Sequence, residues 1–439
     1  MPNSSKNRIQ INEKLLEKLN EDTVTLEIAG MTTVSKINIT PNNFINLEPT
    51  LAKKLLVPSK AYLPYHIRNN YVRLGPSVGI LTSNRNAENP IPKGKNGRLY
   101  KEMINYAHNH GLLVFLFYAE GVNWKKKIIK GYTLNNNGKW ISGNYSIPNI
   151  IYNRIQYRSI ENRNNVKTLL EKCTSNPNVY VFNSRFLNKW EVNDALSNFA
   201  LGKKFLPETM KFNRSNLRLM IQNHNEIFLK PINSSRGQGI IKIIIKDDGS
   251  YQYSKAEVKM PKWFSTNSFY NLFEGLTRIG AKENRYLIQE GIDLTTFDDR
   301  VYDLRAQFQK DGNGSWVITG VGVRIAGKNR FVTHVPNGGT AAVFEDVINK
   351  TFAGDDAKKT DINRQLKLIA FTIPVELEKR LDINLAILSF DIGIDKDGKL
   401  WILEVNSKPA SFDEEQIRFR HLQYLVDYFI YLAQINIKE

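Results

Sequence analysis

The chain has 439 residues, 41% of them hydrophobic, enough to bury a large core and to form roughly two to four domains. A single cysteine, Cys173, excludes an internal disulfide framework and a cysteine-based zinc site, six histidines show no paired metal-ligand spacing, and the longest apolar run, Leu112 to Tyr118, is too short to cross a bilayer. The formal net charge of +18 favours an acidic partner, but the basic residues are dispersed apart from Lys125 to Lys127 and match no zinc finger, RNP motif or basic zipper, so nucleic acid is not expected as the main partner.

The first twenty residues are polar and hold no signal-peptide core, so cytoplasmic synthesis is expected. Residues 1–75 alternate short β-like runs, Val24 to Ile28 and Ser35 to Ile39 among them, with Asn, Pro and Gly breaks, and predict a small β-rich domain. From Val78 the pattern becomes strand, helix, strand. A buried-type run at 78–82 precedes a helix with Tyr100, Met103, Ile104 and Ala107 on one face, and LLVFLFY at 112–118 follows Gly111. With a strand inside 147–155 and a helix between Glu161 and Cys173, this predicts an α/β domain over 76–185. Cys173 reads as a bystander.

After residue 185 the pattern carries chemistry. Asn188 can cap a helix with an apolar stripe of Val192, Ala195, Leu196 and Phe199, which leaves Lys189 in the first turn, where the helix dipole disfavours a cation unless an anion is near. A solvated surface lysine is the alternative. In EIFLKPINSSRGQGI (226–240) a strand carries Lys230, and Ser234, Ser235, Gly237 and Gly239 make a small-residue loop before a second strand. Such a loop lets backbone N–H groups approach phosphate oxygens closely, with Lys230 as the fixed cation; an ordinary hairpin fits as well. YLIQEGI (286–292) reads as a buried strand whose end, at Gln289, Glu290, Gly291 and Ile292, can offer edge backbone groups to a flat base. In VYDLRAQF (301–308) alternation puts Asp303 and Arg305 on one face and Leu304 and Ala306 on the other, while Arg324 sits in the apolar strand WVITGVGVRIA (316–326). Arginines in strands need anions, which Asp298, Asp299, Asp303 or a ligand could supply.

The segment LSFDIGIDKDGKLWILEVNSKP (388–409) predicts two strands joined at Asp395 to Gly398. A turn centred on Lys396 and Asp397 sets position 391 opposite 402. Parity then places Asp391, Ile402, Glu404 and Asn406 on one face, with Asp391 diagonal to Glu404. Two carboxylates and an amide oxygen suit Mg²⁺, which takes one or two carboxylates and fills its remaining positions with phosphate and water; a pair of solvent-facing acids is the alternative.

Taken in order, Lys189 before a helix, LPET at 206–209, LKP with its Ser/Gly loop, QEGI, DLR, a strand arginine, GG at 338–339 and D…EVNSKP resemble the ATP-grasp ligases. Within them, LGPSVGILT (74–82), IPNIIYNRI (147–155) and NSRFLNKW (183–190) resemble the YheC/YheD-type endospore coat-associated proteins, over nearly the whole chain. The resemblance implies an α/β (α+β) ATP-grasp fold over 186–439, its lid at about 205–290 and its metal-binding part at about 291–439, preceded by the two domains above. It implies ATP and Mg²⁺ as cofactors, two ions, with Mn²⁺ able to substitute. Lys189 and Lys230 would hold the α- and β-phosphates, the Ser234 to Gly239 loop would cover the triphosphate, and backbone at Glu290 and Ile292 would bind adenine. Asp303 would face the ribose, Arg305 and Arg324 would neutralise the transferring phosphoryl group, and Asp391, Glu404 and Asn406 would hold the metal. His334 stands where related ligases often carry Asn, and Arg236 interrupts the phosphate loop; both are departures. The implied activity joins an activated carboxylate to an amine or other nucleophile, neither of which the sequence names. A non-catalytic ATP-binding or structural component, associated with spore coat proteins, is the alternative, and a kinase a third possibility.

Overall fold

The computed structural model describes residues 8–11, 23–28, 31–39, 46–57, 65–68, 70–83, 90–110, 112–135, 137–234, 237–256, 262–327, 333, 339–412 and 414–435. Two compact units form, one from residues 1–185, 310–315 and 410–439, the other from 186–309 and 316–409.

In the first unit one six-stranded sheet is built from β1 (Arg8–Ile11), β2 (Thr23–Ile28), β3 (Met31–Ile39), β4 (Asn46–Leu47), β5 (Tyr65–Arg68) and β6 (Tyr71–Leu74), in the order β4-β1-β3-β2-β6-β5. Strand alternation buries Val24, Leu26 and Ile28 on one side, against α1 (Pro49–Lys54) residues Leu51 and Ala52 in the shared core. A second sheet runs β10-β9-β8-β7-β11-β12, from β7 (Ser77–Leu81), β8 (Leu113–Asn123), β9 (Ile128–Leu134), β10 (Trp140–Ser146), β11 (Ile150–Asn153) and β12 (Tyr180–Phe182). Strands β8, β7, β11 and β12 are parallel, and β7 is buried at every position, as a strand covered on both faces must be. The helix α2 (Gly94–Asn109) buries Tyr100, Met103, Ile104 and Ala107, the face that the periodicity predicts. α3 (Arg158–Glu161) and α4 (Asn164–Thr174) follow, and α4 holds Cys173 in the core, where burial pushes its thiol up to about 11. The helix Glu415–Ile435 belongs to this unit, and its Arg418 Nε lies 3.3 Å from Glu102 Oε2 of α2.

The second unit opens with α5 (Lys189–Ser197) and α6 (Ala200–Phe205) and carries two further sheets. The first, β13-β18-β14-β15-β16-β17, consists of β13 (Thr209–Lys211), β14 (Glu226–Pro231), β15 (Ile241–Ile245), β16 (Tyr251–Lys255), β17 (Trp263–Thr266) and β18 (Tyr286–Glu290), every pairing antiparallel. One face of it buries Ile227, Leu229, Ile241, Ile243 and Ile288 against α7 (Arg214–Asn223) and α8 (Phe269–Arg278), leaving the alternate residues, Lys230 and Gln289 among them, for the opposite face. The second, β22-β21-β20-β23-β24, uses β20 (Arg300–Lys310), β21 (Trp316–Ile325), β22 (Thr340–Val343), β23 (Ile387–Ile394) and β24 (Leu400–Asn406), with β19 (Thr296–Phe297) pairing β20. Leu304, Ala306, Phe308, Phe390, Ile392 and Ile402 supply its core side, under α9 (Phe344–Thr351) and α10 (Asp356–Leu381). α10 buries Ile362, Leu366, Ile369, Ile373 and Leu377, a helical stripe, and its Gln365 donates Nε2 to the Gly398 carbonyl at 3.0 Å and accepts from Leu400 N at 3.0 Å.

The β23–β24 hairpin differs from its sequence expectation by one residue in the turn and one in the strand. Asp395 N donates to Lys399 O, and Gly398 has φ 83°, so the loop has three residues and its last is the left-handed glycine. Ile402 therefore pairs with Ile392 and lies in the core, not beside the acids. A bulge at Leu403 then re-phases the strand, and Asp391 sits directly opposite Glu404 instead of diagonally.

Close packing of the β16–α8 contact gives a stability test. A Cβ added at Gly275 would lie 2.0 Å from Tyr253 Oη and 2.8 Å from its Cζ. Gly275→Ala should destabilise this sheet by about 1–3 kcal/mol, read as faster amide exchange in β15 and β16, and Tyr253→Phe should recover part of the loss.

Candidate active site

Lys189 is the first residue of α5, whose N-terminus is closed by a reciprocal capping box: Asn188 Oδ1 accepts from Glu191 N at 2.9 Å and the Glu191 carboxylate accepts from Asn188 N. The box explains why a helix starts here despite a cation in its first turn. The ammonium donates to the Ser234 carbonyl at 2.6 Å and stands 3.4 Å from Glu404 Oε1, so the anion that its position calls for is present. Lys189 N also donates to Ile232 O at 3.2 Å, fixing the loop after β14 to the start of α5.

Lys230 projects from β14 on the face opposite Leu229 and donates to Gln289 Oε1, while Gln289 Nε2 donates to Thr209 Oγ1 at 3.1 Å. Burial pulls the Lys230 ammonium down to about 8. Glu404 counters that, Lys189 adds to it, and Asp391 and Asp303 counter it further. One group thus senses Lys189 and three carboxylates that come from three strands of the other sheet. A cleft is lined by Lys189, Lys230, Thr209, Gln289 and Glu404, with Val192, Leu206, Leu287 and Leu403 as its apolar wall.

Across the polar face of the β20–β24 sheet, Arg305 is the register partner of Asp391, Asp391 that of Glu404, and Ser389 that of Asn406. Arg324, nine-tenths buried on β21, clamps Asp303 bidentately, Nε to Oδ1 at 2.8 Å and Nη2 to Oδ2 at 2.9 Å, and Nη2 also lies 2.9 Å from Asp391 Oδ2. Thr333 Oγ1 donates to Asp303 as well. Burial opposes the guanidinium charge, but Asp391 and Asp303 outweigh it and raise the Arg324 pKa. Burial pushes the Asp303 carboxyl up, with Arg324 pulling against it and Asp391 adding to the rise. Asp298 instead pairs with Lys350 at 2.7 Å on the surface.

At the end of β18, Glu290 N donates to Glu208 O at 3.0 Å and Gly291 N to Glu226 O at 2.7 Å, so a base approaching Glu290 would meet its carbonyl and not its amide. Ile292 O already accepts from Leu294 N at 2.8 Å. Gly237 and Gly239 have φ 67° and 77°, the left-handed region that the small-residue loop requires. Ser235, Arg236 and His334 lie outside the described residues. The structure thus groups Lys189, Lys230, Ser234, Gln289 and Glu404 around the cleft, and Asp303, Arg305, Arg324, Asp391 and Glu404 on the acidic face. Sequence reasoning missed Thr209 and Thr333. Thr209 falls in the LPET segment, where only the residue order carried a signal, and Thr333 lies in a loop whose spacing to Asp303 no periodicity encodes.

Compared with models of protein families, residues 178–432 match the YheC/D-like ATP-grasp domain, more than half of the chain. The chain belongs to this family. It is 26% identical over 402 residues to the endospore coat-associated protein YheD of Bacillus subtilis strain 168, covering 88% of this chain and 85% of that one. To YheC of the same strain it is 24% identical over 275 residues, 62% and 73% of the two chains. Among solved structures, it is similar to the VanG D-Ala:D-Ser ligase of Enterococcus faecalis, at 11% identity and TM-score 0.46, covering 82% of this chain and 99% of that one. It is also similar to the ATP-grasp ligase PsnB complexed with minimal precursor, Mg and ADP, at 14% identity and TM-score 0.44, covering 84% and 99%. The fold is therefore mixed α/β of the ATP-grasp kind, as the motif order implies.

The YheC/D-like unit depends on its buried ion cluster. Asp303→Asn should cost about 3 kcal/mol in chemical denaturation, because Arg324 keeps its charge and loses its bidentate partner. Asp298→Asn, which removes only the exposed pair with Lys350, should stay within about 0.5 kcal/mol.

Proposed function

We propose that the chain is an ADP-forming ATP-grasp ligase that activates a carboxylate as an acyl phosphate and transfers the acyl group to an amine or other nucleophile. The observation that carries this reading is the cleft where Lys189, Lys230 and Glu404 meet, with the apolar wall of Val192, Leu206, Leu287 and Leu403 beside them. Two ammonium groups held by separate elements suit the α- and β-phosphates, the apolar wall suits adenine, and the Glu290 carbonyl and Ile292 amide would read the base edge. Phosphoryl transfer asks a protein mainly for positioning and charge neutralisation, and these residues supply both.

Asp391, Glu404 and Asn406 would hold Mg²⁺. The donor set fits: two carboxylates are direct cross-strand partners, and one Asp391 oxygen is taken by Arg324 while the carboxylate has another to offer. Bound Mg²⁺ would neutralise phosphate charge and align the γ-phosphoryl group. A carboxylate oxygen of the acid attacks the γ-phosphorus and the bond to ADP breaks. The nucleophile then attacks the acyl carbon, phosphate leaves, and the proton of the nucleophile passes to solvent. Arg305, next to Asp391 in register, neutralises the transferring group. Arg324 acts through the carboxylates it clamps and is a positioning residue in this scheme.

With a competent acid, hydroxylamine should yield a hydroxamate that depends on ATP and Mg²⁺, and Arg305→Ala should lower the yield by roughly a hundredfold, the usual loss for one transition-state donor. A stable phosphorylated product would indicate a kinase instead. The names of the two Bacillus relatives favour a second reading, a coat-associated ATP-binding component without turnover. Mg-ATP binding with no hydroxamate across a panel of acids would select it.

Lys230 sets a pH dependence. Its ammonium loses its proton near pH 8 in the free protein, and phosphate contact favours the charged form, so nucleotide binding takes up a proton above that pH. Affinity for Mg-ATP should be level below about pH 7 and fall as pH rises through 8, measured by calorimetry in buffers of differing ionisation enthalpy.

A further inference from the structure

One position beyond the cleft residues Thr209 and Gln289 on the β13–β18 pair lies a cluster of side chains that the ligase reading does not use. His224, the C-terminal cap of α7, points its ring between two carboxylates: Nε2 is 2.9 Å from Glu208 Oε2 and Nδ1 is 3.5 Å from Glu290 Oε2. Glu208 precedes β13 and Glu290 ends β18, so three separate elements converge. Glu290 Oε1 is fixed by Glu208 N at 2.8 Å, which orients its carboxylate toward the ring. One ligand atom from each of the three residues lies within 4.8 Å of the others.

A neutral imidazole donates through only one nitrogen, yet here each nitrogen faces a carboxylate, which only accepts. Both nitrogens therefore face acceptors, an arrangement that calls for a cation at the ring, a proton or a metal ion. A proton would leave the trio with a net single negative charge, whereas a divalent cation balances two carboxylates and a neutral ring. The donor set, one imidazole nitrogen with carboxylate oxygens, suits Zn²⁺ and its neighbours better than Mg²⁺, which prefers oxygen alone. The Glu208 side chain is 40% exposed against 19% for His224 and Glu290, which gives an entry path and room for water as a further ligand.

We propose that Glu208, His224 and Glu290 form a second metal site, taking Zn²⁺ or a similar borderline divalent cation, that staples the end of α7 to the β13–β18 edge. Its hydrogen-bonded backbone pair, Glu290 N to Glu208 O, holds the two carboxylates side by side, and since they face different ring nitrogens, one of them swings to the nitrogen that takes the cation.

The test is calorimetric titration of the full chain with ZnCl₂ in millimolar Mg²⁺, which occupies oxygen-only sites, without ATP. One zinc per chain is expected, with a Kd in the micromolar range or tighter and an absorption edge showing one nitrogen and otherwise oxygen ligands. His224→Ala should weaken binding by roughly a hundredfold or more and abolish the zinc-induced rise in Tm, and Glu208→Gln, which keeps the shape of the side chain, should weaken it at least about tenfold. Absence of stoichiometric uptake, uptake that both variants leave unchanged, or an edge showing two or more imidazoles would overturn the proposal, the first in favour of a proton-held His–Glu trio.

Discussion

One buried guanidinium governs the acidic face of the second unit. Arg324 ties β21 to Asp303 on β20 and to Asp391 on β23, so three strands are joined on one side by charge while their other side is joined by Leu304, Phe308, Phe390 and Ile392. A charge placed so deep has to be compensated, and a carboxylate placed so deep has to be compensated in turn. Neither partner can be exchanged alone. The arrangement also decides which groups remain to act on a ligand: Arg324 has its anions, whereas Glu404, one strand further on, meets the Lys189 ammonium at 3.4 Å at the margin of the cleft.

That margin links the two sheets of the unit. Lys189 leans on the Ser234 carbonyl from the loop after β14 and on Glu404 from β24, so a single ammonium reports on both. On the proposed reading, a triphosphate entering the cleft would compete with a carbonyl and a carboxylate for this lysine. Lys230 differs: it is held by Gln289, which is itself held by Thr209, a chain of neutral groups that orients the cation without neutralising it. Burial then weakens its hold on its proton.

Elements with strong periodicity were legible in the sequence. The faces of α2 and of β20 follow directly from spacing, because Tyr100, Met103, Ile104 and Ala107 recur at helical intervals and Asp303 and Arg305 alternate with Leu304 and Ala306. The cap at Asn188 is legible too, and the structure adds its reciprocal partner Glu191. What period alone could not give was phase. Gly398 adds a left-handed residue to the hairpin loop and Leu403 adds a bulge, and each shifts every later pairing by one position. Contacts between segments distant in sequence, such as Thr333 on Asp303 or His224 between Glu208 and Glu290, leave no local pattern at all.

The amide of Gln365 has a consequence for how this hairpin can change over time. Hairpin tips are ordinarily where chains accept insertions, since nothing but solvent measures their length. Here a side chain from α10 grips both sides of the loop, its Nε2 on the Gly398 carbonyl and its Oε1 on the Leu400 amide. The helix therefore acts as a gauge. A residue gained or lost at the tip would break both bonds and slide Asp391 away from Glu404, so drift in loop length should be found at other turns of the unit and not at this one.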